Sequence, residues 1–107
     1  MFDLAVCSEM VFRDLPIVER ARRIAALGFA VEIWDWTRHD IAALARTGAR
    51  FSSMTGYVTG DLIDEDGSAE LLRTAERSIP VPKELGIPRL NLHGTGLDGK
   101  GLPVKPV

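Results

Sequence analysis

Cysteine is almost absent: Cys7 is the single one in 107 residues. An intrachain disulfide is excluded, and nothing points to an oxidising compartment. Long apolar runs are absent too, since none approaches the ~20 residues needed to span a bilayer. Met1-Phe2-Asp3-Leu4-Ala5-Val6-Cys7 carries no basic segment and soon meets Glu9, so it does not read as a signal peptide. Positive charge is not in excess. The net charge of −2 argues against a nucleic-acid or anionic-membrane partner held by bulk charge. Arg20, Arg22 and Arg23 cluster, but Glu19 beside them makes a solvated helix face the simpler reading. The expectation is a soluble cytoplasmic protein. No Ser-His-Asp order, G-x-S-x-G elbow or Cys/His metal cluster occurs, so no complete catalytic set follows from motif alone.

What is present is an ordinary globular composition, 46% hydrophobic and 26% charged, enough for one domain with a modest core. Short apolar runs alternate with helical patterns. Phe2 to Ser8 suits a first strand. Asp14-Leu15-Pro16 reads as a helix start, with Asp14 as cap and Pro16 in the first turn. Ile17, Ala21, Ile24 and Ala25 then share one helical face, and Gly28 stops it. Phe29 to Trp34 is a second strand. Thr37 and Asp40 have capping-box spacing ahead of Ile41, Leu44 and Ala45. Phe51 to Met54 is a third strand, and Thr55 to Gly67 a long acidic loop. Ser68 caps a third helix carrying Leu71, Leu72, Ala75 and Ile79, and Leu90 to His93 is a fourth strand. Pro80 and Pro82 break the third helix near Ser78 to Pro80, because each interior proline costs roughly 3 kcal/mol. A short helix restarting with Pro82 in its first turn is the expected outcome. Alternating strands and helices imply parallel pairing in an α/β fold.

Several side chains could carry chemistry. In extended geometry Glu32, Trp34 and Trp36 share one strand face, opposite Val31 and Ile33. Glu32 is either a pocket carboxylate or a structural one paired with Arg50 or Arg89. Asn91 and His93 alternate with Leu90 and Leu92, and buried polar groups on such a face need partners. His93 closes its strand, where α/β folds place ligands, and is the leading ionisable candidate. His39 falls in the first turn of the second helix and reads as solvated. Cys7 reads as a buried small side chain. Gly94 to Gly101 lacks the spacing of a phosphate loop. Asp61, Asp64, Glu65 and Asp66 lack that of a calcium loop and read as a mobile acidic segment.

Three segments in order carry a family resemblance: Leu4-Ala5-Val6-Cys7-Ser8-Glu9-Met10-Val11-Phe12, Ala26 to Trp34, and Ala75-Glu76-Arg77 with Lys83 to Gly94. Together they resemble hydroxypyruvate isomerase-like proteins of the sugar-phosphate isomerase/epimerase group. The resemblance implies the N-terminal half of a (β/α)8 TIM barrel, a fold of ~250 residues. Residues 1–107 would then hold four parallel strands and about three helices, a fragment ending in the loop after strand 4. It implies aldose–ketose type proton transfer on a small sugar or hydroxy-keto acid, with Mn2+ or Mg2+. The metal ligands and acid–base glutamates are expected beyond Val107. His93, Glu32, Trp34, Trp36 and Asn91 would shape the substrate side of the pocket, and the loop Ser8 to Phe12 would border it. A homo-oligomer or a complementary half-barrel is the expected partner. The alternative is a non-catalytic half-barrel acting as an oligomerising or partner-binding subunit.

Overall fold

A computed structural model describes residues 2–105 of the chain. It is an α/β arrangement of four parallel strands in the order β1-β2-β3-β4, with β1 Ala5–Cys7, β2 Ala30–Ile33, β3 Phe51–Thr55 and β4 Arg89–Asn91. The strands are joined by α1 (Ile17–Ala26), α2 (Ile41–Ala45), and a consecutive pair, α3 (Glu65–Ser78) and α4 (Pro80–Leu85). The order is compatible with half of a barrel. No helix among the described residues is long and apolar enough to cross a membrane.

The core lies between one sheet face and the helices. Val31, Ile33, Phe51 and Met54 from the strands meet Ala21 and Ile24 of α1, Leu44 of α2, and Val81 and Leu85 of α4. Burying an aliphatic side chain of this size contributes roughly 1.5–3 kcal/mol. Phe51 and Met54 stand three residues apart, so a regular strand would send them to opposite faces. A bulge resolves this. Val31 aligns with Phe51 while Glu32 aligns with Ser53, leaving Ser52 as the extra residue. Both apolar side chains then reach the core, and Ser53 turns to the other face.

The proline break occurs where the sequence places it. α3 ends at Ser78, Ile79 separates the two helices, and α4 begins at Pro80 with Pro82 inside its first turn. Proline loses nothing there, because the first-turn N–H groups have no helical partner. Gly86 closes α4 in the left-handed conformation (φ 69°), and Ile87 N–H returns to the Pro82 carbonyl at 2.9 Å.

Four local expectations are corrected. Asp14 does not cap α1; Pro16 occupies the cap position with no side-chain bond. The third helix starts at Glu65 and not after Ser68, because Asp64 caps it by accepting from Gly67 N at 2.7 Å. Asp40 is itself the cap of α2, accepting from Ala43 N at 3.0 Å, and Thr37 belongs to a separate 3-10 turn, Trp36–Arg38, capped by Asp35. The first and last strands are three residues each, so His93 lies outside β4.

Candidate functional site

The strand register aligns one transverse row, Cys7–Glu32–Ser53–Arg89, across all four strands. The row lies on the face opposite the helices, since its neighbours Val31, Ile33 and Met54 fill the helix-side core. Thr55 and Asn91 form the next polar pair on the same face. The open face of the sheet is therefore polar, and Glu32 sits near its middle.

Two cavities adjoin this face. The larger, about 510 Å3, lies at the amino ends of the strands and is lined by Asp3, Ala30, Glu32, Arg50, Ser53 and Arg89 among others. Arg50 does not pair with Glu32. It grips Asp3 with two bonds of 2.6 and 2.8 Å, which lowers the Asp3 carboxyl pKa and raises that of Arg50. Glu32 has no ion-pair partner among the described residues; its Oε1 accepts from the Trp34 indole N–H at 3.3 Å. The second cavity, about 420 Å3, opens at the carboxyl ends of β1 and β2 and is lined by Glu9, Arg13, Arg20, Trp34, Asp35, Arg38 and His39. Parallel α/β sheets use their carboxyl ends for ligands, so the smaller cavity is the better placed.

Glu9 organises this end. Its carboxylate accepts from Trp34 N at 2.5 Å, from Asp35 N at 3.2 Å and from His39 Nε2 at 2.7 Å. The loop after β1 is thereby fastened to the loop after β2. Cys7 Sγ lies 3.9 Å from the same carboxylate. Partial burial is the main cause that pushes the Cys7 thiol pKa up, so this cysteine is not set up as a thiolate. Arg20 braces the loop from below, donating to the carbonyls of Leu15, Ser8 and Arg13.

The structure redistributes the sequence candidates. Glu32 and Trp34 are together on the open side. Trp36 is not with them: the strand ends at Ile33, and the 3-10 turn rotates Trp36 onto the helix side, where its indole donates to Ser78 Oγ at 2.9 Å. Asn91 stays on the open face, partly buried. His93 is exposed, its ring 6.3 Å from that of Tyr57, and it does not join Glu32. His39 was expected in solvent, yet its side chain is only 9% exposed and is held by Glu9.

The other charged segments have structural work. Asp61 is buried, accepts from Ile63 N and pairs with Lys105 at 2.7 Å; Asp64 pairs with the same lysine at 3.0 Å. This segment is a bonded helix start and not a free acidic loop. In the glycine-rich tail, Asp98 Oδ1 accepts from Lys100 N and Leu102 N, so those donors are already taken and do not cradle a phosphate. Among the described residues no three His, Cys, Asp or Glu side chains converge as metal ligands. Arg50 and Arg89 also share the groove with Glu32. These residues do not fit a resident Mn2+ or Mg2+ ion.

No protein-family model, no curated protein and no solved structure matches the chain. Arg13 and His39 are site residues that reading the sequence missed, and Glu9 lies in the Ser8 to Phe12 loop expected to border the pocket but had no role of its own. The signal was available for Glu9, which follows the first strand at its carboxyl end just as His93 follows the fourth.

Proposed function

We propose that the chain supplies four strands of a (β/α)8 isomerase or epimerase acting on a small sugar or hydroxy-keto acid by proton transfer. One observation carries this reading. Glu32, Ser53, Thr55 and Asn91 all face away from the helices, on the side that would become the interior of a closed barrel. These hydroxyl, amide and carboxylate side chains are suited to pair with a substrate rich in hydroxyl and carbonyl oxygens. The resemblance of Leu4 to Phe12, Ala26 to Trp34, and Ala75-Glu76-Arg77 with Lys83 to Gly94 to hydroxypyruvate isomerase-like proteins supports this reaction class. Proton removal at one carbon and return at its neighbour requires positioned acid–base groups, of which Glu32 is one candidate. The test is isomerase activity of the longest product of the gene on hydroxypyruvate and small ketoses, with Mn2+ or Mg2+ added. Absence of turnover under all these conditions would overturn the proposal.

A second reading, a half-barrel that assembles with itself or with a complementary half, is favoured by the sheet edges. Ile79, Leu90 and Leu92 are exposed beside β4, and Phe2 and Leu4 beside β1. Unpaired parallel edges flanked by apolar side chains invite pairing. Light scattering after size exclusion distinguishes the two states, and a stable monomer at high concentration would contradict assembly.

A further inference from the structure

We infer that His39 is a proton-exchanging base in a site for small anionic hydroxy-carbonyl compounds, with Glu9 as its positioning residue and Arg13 and Arg38 as the anion-binding groups. The inference deepens the isomerase reading by naming a proton acceptor and the groups that would hold the substrate's charge, and it rests on that reading only for turnover.

The geometry begins with tautomer. Glu9 Oε1 lies 2.7 Å from His39 Nε2. The carboxylate also accepts from the Trp34 and Asp35 amides, so it is an acceptor throughout, and the proton of the pair belongs on Nε2. Nδ1 is then left with its lone pair. It has no hydrogen-bond partner among the described residues. The space that His39 borders is the 420 Å3 cavity at the carboxyl ends of β1 and β2. A carboxylate-held imidazole with a free second nitrogen is the arrangement a general base needs.

The charges around the cavity select the ligand. Three guanidinium groups (Arg13, Arg20, Arg38) face two carboxylates (Glu9, Asp35). Arg20 is spent on backbone carbonyls. Glu9 is spent on its amides and on His39. Arg13 has no ion-pair partner among the described residues, and Arg38 has only a loose 3.4 Å contact with Asp35. Two guanidinium groups therefore remain for an anion, a role that suits their forked donors. Trp34 supplies an apolar wall and, through its indole, a link to Glu32. In the proton step, a hydroxyl or activated C–H of the ligand gives its proton to Nδ1, and the bonding pair stays on the ligand. Glu9 balances the imidazolium charge, and Nδ1 then returns the proton to the neighbouring atom of the ligand.

The experiment is nitrogen-15 NMR of the full chain, titrated with hydroxypyruvate and, separately, with neutral dihydroxyacetone. The expected result is a His39 signature of the Nε2–H tautomer in the free protein. Hydroxypyruvate should move the His39 and Trp34 ring signals, and dihydroxyacetone should bind about tenfold more weakly. Arg13→Ala with Arg38→Ala should abolish that preference, and Glu9→Gln should reduce the tautomer bias while His39→Asn, checked for an unchanged amide spectrum, removes the ring response. An Nδ1–H tautomer, or equal response to both compounds, would overturn the inference. Binding with the expected tautomer in a gene product that turns over no substrate would sink the isomerase reading and leave this site standing.

Discussion

The indole N–H of Trp36 donates to Ser78 Oγ at 2.9 Å, across 42 residues, and ties the turn after β2 to the last turn of α3. Ser78 in turn donates to the Thr74 carbonyl at 2.9 Å. Trp36 is thus a structural aromatic on the helix side. Trp36→Phe removes one partly buried hydrogen bond while leaving most of the ring, and should destabilise the fold by about 1 kcal/mol. Urea unfolding measures this, and a double-mutant cycle with Ser78→Ala should return a coupling of similar size. Unchanged stability would show that the Trp36–Ser78 bond contributes nothing to the fold.

Gly60 and Gly28 both have positive φ, +101° and +89°, but their surroundings differ. A Cβ on Gly28 meets nothing within 4 Å, so Gly28→Ala should cost only the left-handed backbone penalty, roughly 1–2 kcal/mol. A Cβ on Gly60 would press on Leu71 N and sit 2.6 Å from the Gly67 carbonyl oxygen, both backbone atoms of α3. Gly60→Ala should therefore cost about twice as much or more. Parallel urea titrations of the two variants decide it.

Lys105 joins Asp61 and Asp64, and the three groups shift together. The ammonium group lowers the Asp61 pKa. Asp64 is lowered first by the Gly67 N–H and then by Lys105, and the two carboxylates raise Lys105. For the two acids the folded values lie below the unfolded value of about 3.9. Their stabilisation is present above that pH and is lost as pH falls through the lower, folded values. For Lys105 the contribution holds below about 10.4 and is lost as pH rises through the higher, folded value. Lys105→Met should flatten part of the acid limb of the stability profile and move both aspartates up in a carboxyl NMR titration. An unchanged acid limb would show that the lysine contact contributes nothing in solution.

The apolar edge beside β4 makes a separate prediction. Leu92 is 55% exposed and lies just beyond the strand. If edges pair, Leu92→Lys should shift the chain toward monomer in light scattering with little change in thermal stability. If the chain is monomeric at the outset, the substitution should leave its mass unchanged.

Much of the fold was legible because it rests on local chemistry. The alternation of strands and helices, the stop at Gly28 and the break at Pro80 follow from period, cap and proline geometry. The errors came where a residue's role depends on distant chain. Asp14 and Ser68 look like caps, but Pro16 and Asp64 occupy those positions. Trp36 continues the period-two pattern of Glu32 and Trp34 only if the strand continues, and Asp35 ends that geometry by capping a 3-10 turn. His39 was read as solvated because its partner, Glu9, is 30 residues away. Glu32 and Asn91 kept their expected face because strand alternation is local; His93 lost its place because β4 ends two residues earlier.

The polar sheet face and the carboxyl-end cavity together carry the proposal of a proton-transferring isomerase. The most direct measurement is proton NMR of hydroxypyruvate incubated in deuterium oxide with the longest gene product, with and without Mn2+ or Mg2+. Enzyme-dependent deuterium incorporation and conversion to the isomeric aldehyde acid are expected, both reduced at least tenfold in His39→Asn. Neither exchange nor conversion above the protein-free rate, from a folded protein, would contradict it.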